Sequence, residues 1–91
     1  MGEAKYRKAE RAATAMARDA EKRAKAAMAE VNAALRAGDA TRASLAASEA
    51  SAALHRYAFE RKQADGWRDL AGLAAKRKSS VVKIRLDGRA R

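Results

Sequence analysis

The chain has 91 residues and a formal net charge of +10, with 21 Lys+Arg against 11 Asp+Glu, one His, no Cys and no Pro. A single His and no Cys leave no donor set for zinc, haem or an iron–sulfur cluster and no disulfide framework, so neither metal nor cofactor is expected. No run of 18 apolar residues is present, so no membrane span is expected, and Met1-Gly2-Glu3-Ala4-Lys5-Tyr6 lacks the apolar stretch of a secretory signal.

Residues 4–36 read as one long helix, free of Gly and Pro and rich in Ala, Lys, Arg, Glu and Met. Apolar positions recur at Tyr6, Ala9, Ala13, Met16, Ala20, Ala24, Ala27, Val31 and Leu35, in steps of three or four that lay one stripe along a helix. Charges occupy the other faces, with Glu3–Arg7 and Glu21–Lys25 as attractive i,i+4 pairs, each adding about 0.3 kcal/mol.

Ala37-Gly38-Asp39 punctuates the chain. Gly38 suits the left-handed residue that closes a helix, and Asp39 suits the N-cap of the next one. A connection this short makes the two helices an antiparallel hairpin.

The second helix spans residues 40–64, with a stripe of Ala43, Ala46/Ala47, Ala50, Ala53/Leu54, Tyr57, Glu60/Arg61 and Ala64. The hairpin interface is therefore expected at Ala13, Met16, Ala20, Ala27 and Val31 against Ala43, Ala50, Tyr57 and Trp67. Small knobs allow helices to approach toward the lower end of the ~8–10 Å range. A second line, Thr41, Ser44, Ser48, Ser51 and His55, reads either as a solvated edge or as a second close contact with a partner helix or a phosphate backbone.

Asp65-Gly66-Trp67 admits two readings, a third short helix over residues 67–77 or a helix running through Gly66. Trp67, Leu70 and Leu73/Ala74 share a face in either case. The composition explains why such a chain orders at all. Leu, Ile, Val and Phe number only 11, which with this charge would suggest disorder, but 27 residues are Ala, the strongest helix former. The core is correspondingly thin, and oligomerisation or docking on a partner is the natural remedy.

The last segment changes character. Lys76-Arg77-Lys78 ends a helix, Ser79-Ser80 breaks it, and residues 81–86 alternate as a strand, with Val82, Ile84 and Leu86 on one side and Lys83 and Arg85 on the other. No second strand exists in the sequence, so this one would pair with another chain. The domain reading is a helical hairpin over residues 1–78 and a basic strand or tail over 79–91 that docks on a partner or a second subunit. The fold class is mainly α, an Ala-rich antiparallel hairpin with a basic C-terminal β-strand.

Residues 76–91 carry seven basic groups and one Asp, a net +6, whereas residues 1–75 carry 14 basic and 10 acidic groups. Lys76, Arg77, Lys78, Lys83, Arg85, Arg89 and Arg91 are thus the candidate contacts to DNA, RNA or another polyanion. Ser51 and His55 lie four apart, but no orienting acid or oxyanion hole accompanies them, so no enzyme is expected. Long antiparallel helices do not match a helix-turn-helix, and the strand follows the helices where a ribbon–helix–helix places it first.

Three functional expectations follow: an oligomerising, nucleic-acid-associated accessory protein; a structural subunit of a large assembly such as a virus or phage particle, its strand added to a neighbour's sheet; and an adaptor docking its tail on an acidic protein surface. The first places the protein in the cytoplasm, the second in a virion.

Overall fold

The computed structural model describes residues 2–89, with side chains described through Arg77. They form two helices, α1 (Glu3–Arg36) and α2 (Ala40–Arg89), folded into an antiparallel hairpin about 80 Å long and 17 × 13 Å across.

The turn forms as its residue types dictate. Gly38 has φ 71°, in the left-handed region that disfavours a Cβ. Its N–H donates to the Leu35 carbonyl at 3.1 Å and that of Asp39 to the Ala34 carbonyl at 2.9 Å. Together these are the paired bonds of a Schellman ending, which satisfy the last carbonyls of α1. Asp39 Oδ1 then accepts the Arg42 N–H at 3.0 Å and caps α2.

The seam between the helices is made of alanine. α1 buries Ala13, Ala17, Ala20, Ala24, Ala27 and Ala34, with half-buried Val31 between the last two. α2 buries Ala43, Ala46, Ala50, Glu60, Ala64 and Ala71, with half-buried Ala53, Tyr57, Trp67 and Ala74 at the intervening positions. Steps of three and four alternate without a break on both helices. This is a strict seven-residue repeat, the period that winds two helices into a left-handed coil. Every buried apolar residue among those described is Ala.

This geometry corrects one expected contact. Met16 is 44% exposed and Ala17, at 2%, occupies the seam; likewise Leu35 is 63% exposed while Ala34 is fully buried. Close helix approach leaves room for a methyl group and not for a thioether or isobutyl chain, so the larger neighbour is displaced to the flank.

Of the two readings of Asp65-Gly66-Trp67 the helix running through holds, and residues 81–86 are helix, which corrects the expected strand. α2 is continuous through Gly66, Ser79 and Ser80, and residues 81–86, with Val82, Ile84 and Leu86, continue it as helix. No strand occurs among the described residues. A glycine costs a helix interior only about 1 kcal/mol, which the seam contacts of Ala64, Trp67 and Ala71 on either side offset. A lone strand leaves its backbone groups unpaired, whereas a helix satisfies its own.

Leucine placed at Ala24 should overpack the seam and destabilise the hairpin by about 1–3 kcal/mol, read as a lower thermal midpoint. Ala29→Leu, on the exposed side of α1, should change stability by less than about 0.5 kcal/mol. A Cβ added at Gly66 meets nothing within 4 Å. Gly66→Ala should therefore stabilise the protein by about 0.5–1 kcal/mol in denaturant unfolding.

Candidate nucleic-acid interface

The basic end of α2 is positioned by the contacts that anchor α1 beside it. Tyr6 and Trp67 stack with ring centroids 6.0 Å apart and planes 22° from parallel. Next to them Arg68 Nε donates to Glu10 Oε2 at 2.9 Å, and Arg7 Nη1 donates to Glu10 Oε1 at 3.3 Å. Arg7 also lies 3.6 Å from Glu3, and Arg68 lies 3.7 Å from Asp65. Glu10 is half-buried, and its carboxyl is held below the usual carboxylate range, chiefly by the hydrogen bond from Arg68; burial opposes this and Arg7 adds to it.

These contacts fix where α1 begins. Its first turn, with Glu3, Ala4 and Tyr6, lies against Leu70, Leu73, Ala74 and Arg77. α2 runs on from there to Arg89, a further 12 residues, or about 18 Å of helix with no α1 residue opposite.

Lys76 and Arg77 are exposed at this edge. Positions 78, 83, 85 and 89 are helical in backbone; the side chains of Lys78, Lys83, Arg85 and Arg89 lie outside the described residues, as does Arg91 altogether. Helical register changes how these positions relate. At about 100° per residue, positions 83 and 85 fall some 200° apart around the axis, where a strand would put them on one side.

Several cations of the hairpin body are held by its own carboxylates. Arg23 lies 3.1 Å from Asp19, and Lys25 lies 3.2 Å from Glu21, each within one turn of α1. Arg42 is ion-paired with Glu30 across the helices, which lowers the Glu30 carboxyl and raises the Arg42 guanidinium through their shared hydrogen bond. Arg56 lies 3.2 Å from Glu60, a carboxylate buried in the seam. Among the described residues, no buried side-chain nitrogen or oxygen lacks a partner.

The Ser51–His55 pair resolves into a backbone contact. His55 Nδ1 lies 2.8 Å from the Ser51 carbonyl oxygen, and because a carbonyl only accepts, that ring nitrogen is the donor. Thr41, Ser44, Ser48, Ser51 and His55 are all exposed. Among the described residues, no helix is long and apolar enough to cross a membrane, and no group of three or more acidic or His side chains is placed to hold a metal.

Sequence reasoning did not find the Glu10–Arg68, Glu30–Arg42 and Glu60–Arg56 contacts. The seven-residue frame carries a signal for two of them: counted back from Ala13 and on from Tyr57, Glu10 and Glu60 fall on seam positions, where a carboxylate needs a cation. No protein-family model, no curated protein and no solved structure matches the chain.

The anchoring contacts predict an acid limb to stability. A carboxyl whose folded pKa is depressed stabilises the fold fully above its unfolded value, and that contribution is lost as pH falls through the folded value. Glu10 and Glu30 are both depressed. The thermal midpoint should therefore fall progressively as pH drops below the ordinary glutamate value of 4.5. Arg68→Met, which removes the donor to Glu10, should lower the midpoint at neutral pH and shrink the further drop in acid. A midpoint that stays level into strong acid contradicts this account.

Proposed function

We propose that the chain is a non-enzymatic, nucleic-acid-associated accessory protein that oligomerises and binds phosphate backbone through the C-terminal end of α2. The observation that carries this reading is the placement of charge. Residues 76–91 hold a net +6, and most of them lie on the length of α2 that outruns α1. In the body, Arg7, Arg23, Lys25, Arg42, Arg56 and Arg68 are held by carboxylates of the hairpin itself. A cluster of cations in surplus gains affinity for phosphate through counterion release.

Contacts of this kind give affinity and orientation with little sequence reading. DNA, RNA and other polyanions fall within the same chemistry.

A second reading, a structural subunit of a large assembly such as a virus or phage particle, is favoured by one observation. Among the described residues, eight large apolar side chains, Met16, Met28, Leu35, Leu45, Leu54, Phe59, Leu70 and Leu73, are exposed and none is fully buried. In that setting Val82, Ile84 and Leu86 would add as a strand to a neighbour's sheet, exchanging helix for intermolecular pairing.

Binding to duplex DNA, followed by fluorescence anisotropy across a salt series, discriminates the two. If all seven cations of residues 76–91 meet phosphate, log K against log salt should have a slope of about −6. Deleting residues 76–91 should abolish that dependence and most of the affinity. Equal binding by the truncated chain at low salt would sink the proposal.

A further inference from the structure

The buried line of α2 changes its chemistry where α1 ends. Counted in sevens from the turn, the line runs Ala43, Ala50, Tyr57, Ala64 and Ala71, all buried or half-buried in the seam. The next two places on it are Lys78 and Arg85. α1 begins at Glu3, and its first turn lies beside Leu70, Leu73, Ala74 and Arg77, so positions 78 and 85 fall on the length of α2 that outruns it. Small knobs and one tyrosine occupy the line where a helix lies opposite, and cations occupy it where none does.

Helical register sorts the charge of this overhang onto two sides. α2 is helix to Arg89, at about 100° per residue. Measured around the axis from buried Ala71, position 78 falls about 20° away, position 85 about 40° away, and position 89 in line with it. Positions 76 and 83 fall about 120–140° away, and position 87 joins them at about 160°. Asp87 is the only acid of residues 76–91. It therefore shares the far side with Lys76 and Lys83, four residues on from Lys83. The side that continues the seam carries three cations and no acid; the far side carries two cations and one acid. Position 77 lies about 120° the other way, at the flank. The carboxylates at the start of α1 are matched within the body: Glu3 lies 3.6 Å from Arg7, and Glu10 accepts from Arg68.

We propose that a nucleic-acid phosphate backbone lies along this one side of the overhang, in the space beyond the end of α1, engaged by Lys78, Arg85 and Arg89 and not by Lys83. The inference rests on the nucleic-acid reading and adds to it the side of α2 that the strand occupies. Positions 78 to 89 span about 16 Å of helix, and one strand of a duplex advances about 3.4 Å per phosphate, so the line can meet several phosphates of one strand. A cation on the far side stands about one helix diameter away, some 10 Å. That is about a Debye length at 0.1 M salt, so its attraction is largely screened.

The test is anisotropy of labelled duplex DNA across a salt series, with single cations removed by helical position. These sites lie beyond α1, so the seam is left intact. Lys78→Gln, Arg85→Gln and Arg89→Gln should each flatten the slope of log K against log salt by about 0.9. Each should also weaken binding at 0.1 M salt about eightfold, which is what one phosphate contact gains between 1 M and 0.1 M. Lys83→Gln removes the same charge and should weaken binding less than about twofold. A double variant separates place from charge: Ser80→Arg with Arg85→Ser keeps the composition and moves one cation to a position about 180° from Ala71. It should bind as weakly as Arg85→Gln. Equal losses from Lys83→Gln and Arg85→Gln, or a double variant that binds like the unaltered protein, overturn the one-sided contact and leave the nucleic-acid reading standing. Absence of salt-dependent DNA binding by the unaltered protein overturns both.

Discussion

The rest of the molecule depends on the contact of alanine with alanine along the hairpin seam. A methyl knob lets two helix backbones come close, and among the described residues every fully buried apolar one is Ala, while Val31, Tyr57 and Trp67 at seam positions stay half-buried. The large apolar side chains are therefore outside, an inversion of the usual arrangement in which Leu and Met fill the core and Ala the edges. Each buried Ala removes little apolar area from water, so a long seam yields a modest driving force. The helices compensate with length and with Ala's low entropy cost on ordering.

An alanine seam is also nearly degenerate. Sliding α2 by seven residues along α1 would again place Ala opposite Ala over much of the interface, at little cost in packing. Register has to come from groups that are not repeated. The Schellman turn at Gly38 and the Asp39 cap fix one end. Arg42–Glu30 sets the register nearest the turn, and Arg68–Glu10 with the Tyr6–Trp67 stack sets it at the far end. An exposed ion pair contributes little stability; here its larger effect is specificity, because an alternative register would take Arg68 from half-buried Glu10 and Arg42 from half-buried Glu30.

How far the sequence reveals this follows from the kind of signal involved. The hairpin, its turn and most of α2's stripe are legible because Gly38, Asp39 and the spacing of apolar residues act locally. The seam of α1 is harder to read. A hydrophobicity stripe prefers Met16 to Ala17 and Leu35 to Ala34, whereas close packing prefers the reverse, and only the unbroken seven-residue frame tells them apart. The Glu10–Arg68 contact joins residues 58 apart, a distance over which no periodicity speaks. Residues 81–86 show the opposite failure. Their β-branched alternation is real, but strand propensity is realised only against another strand, and a single chain has none to offer.

That last conflict separates the two functional readings physically. As helix, residues 79–89 satisfy their own backbone, while Lys83, Arg85 and Arg89 against Asp87 alone leave a surplus of positive charge whose members repel. Phosphate lowers that repulsion and at the same time favours the helix, since cations near a helix C-terminus already suit its dipole. A neighbour's sheet would act in the reverse sense: it supplies the missing backbone partners and rewards the alternation of Val82, Ile84 and Leu86, at the cost of about two turns of helix. The backbone state of this segment in the presence of its partner thus reports which chemistry the partner offers. A polyanion deepens the helix that α2 already extends, and a protein sheet edge undoes it.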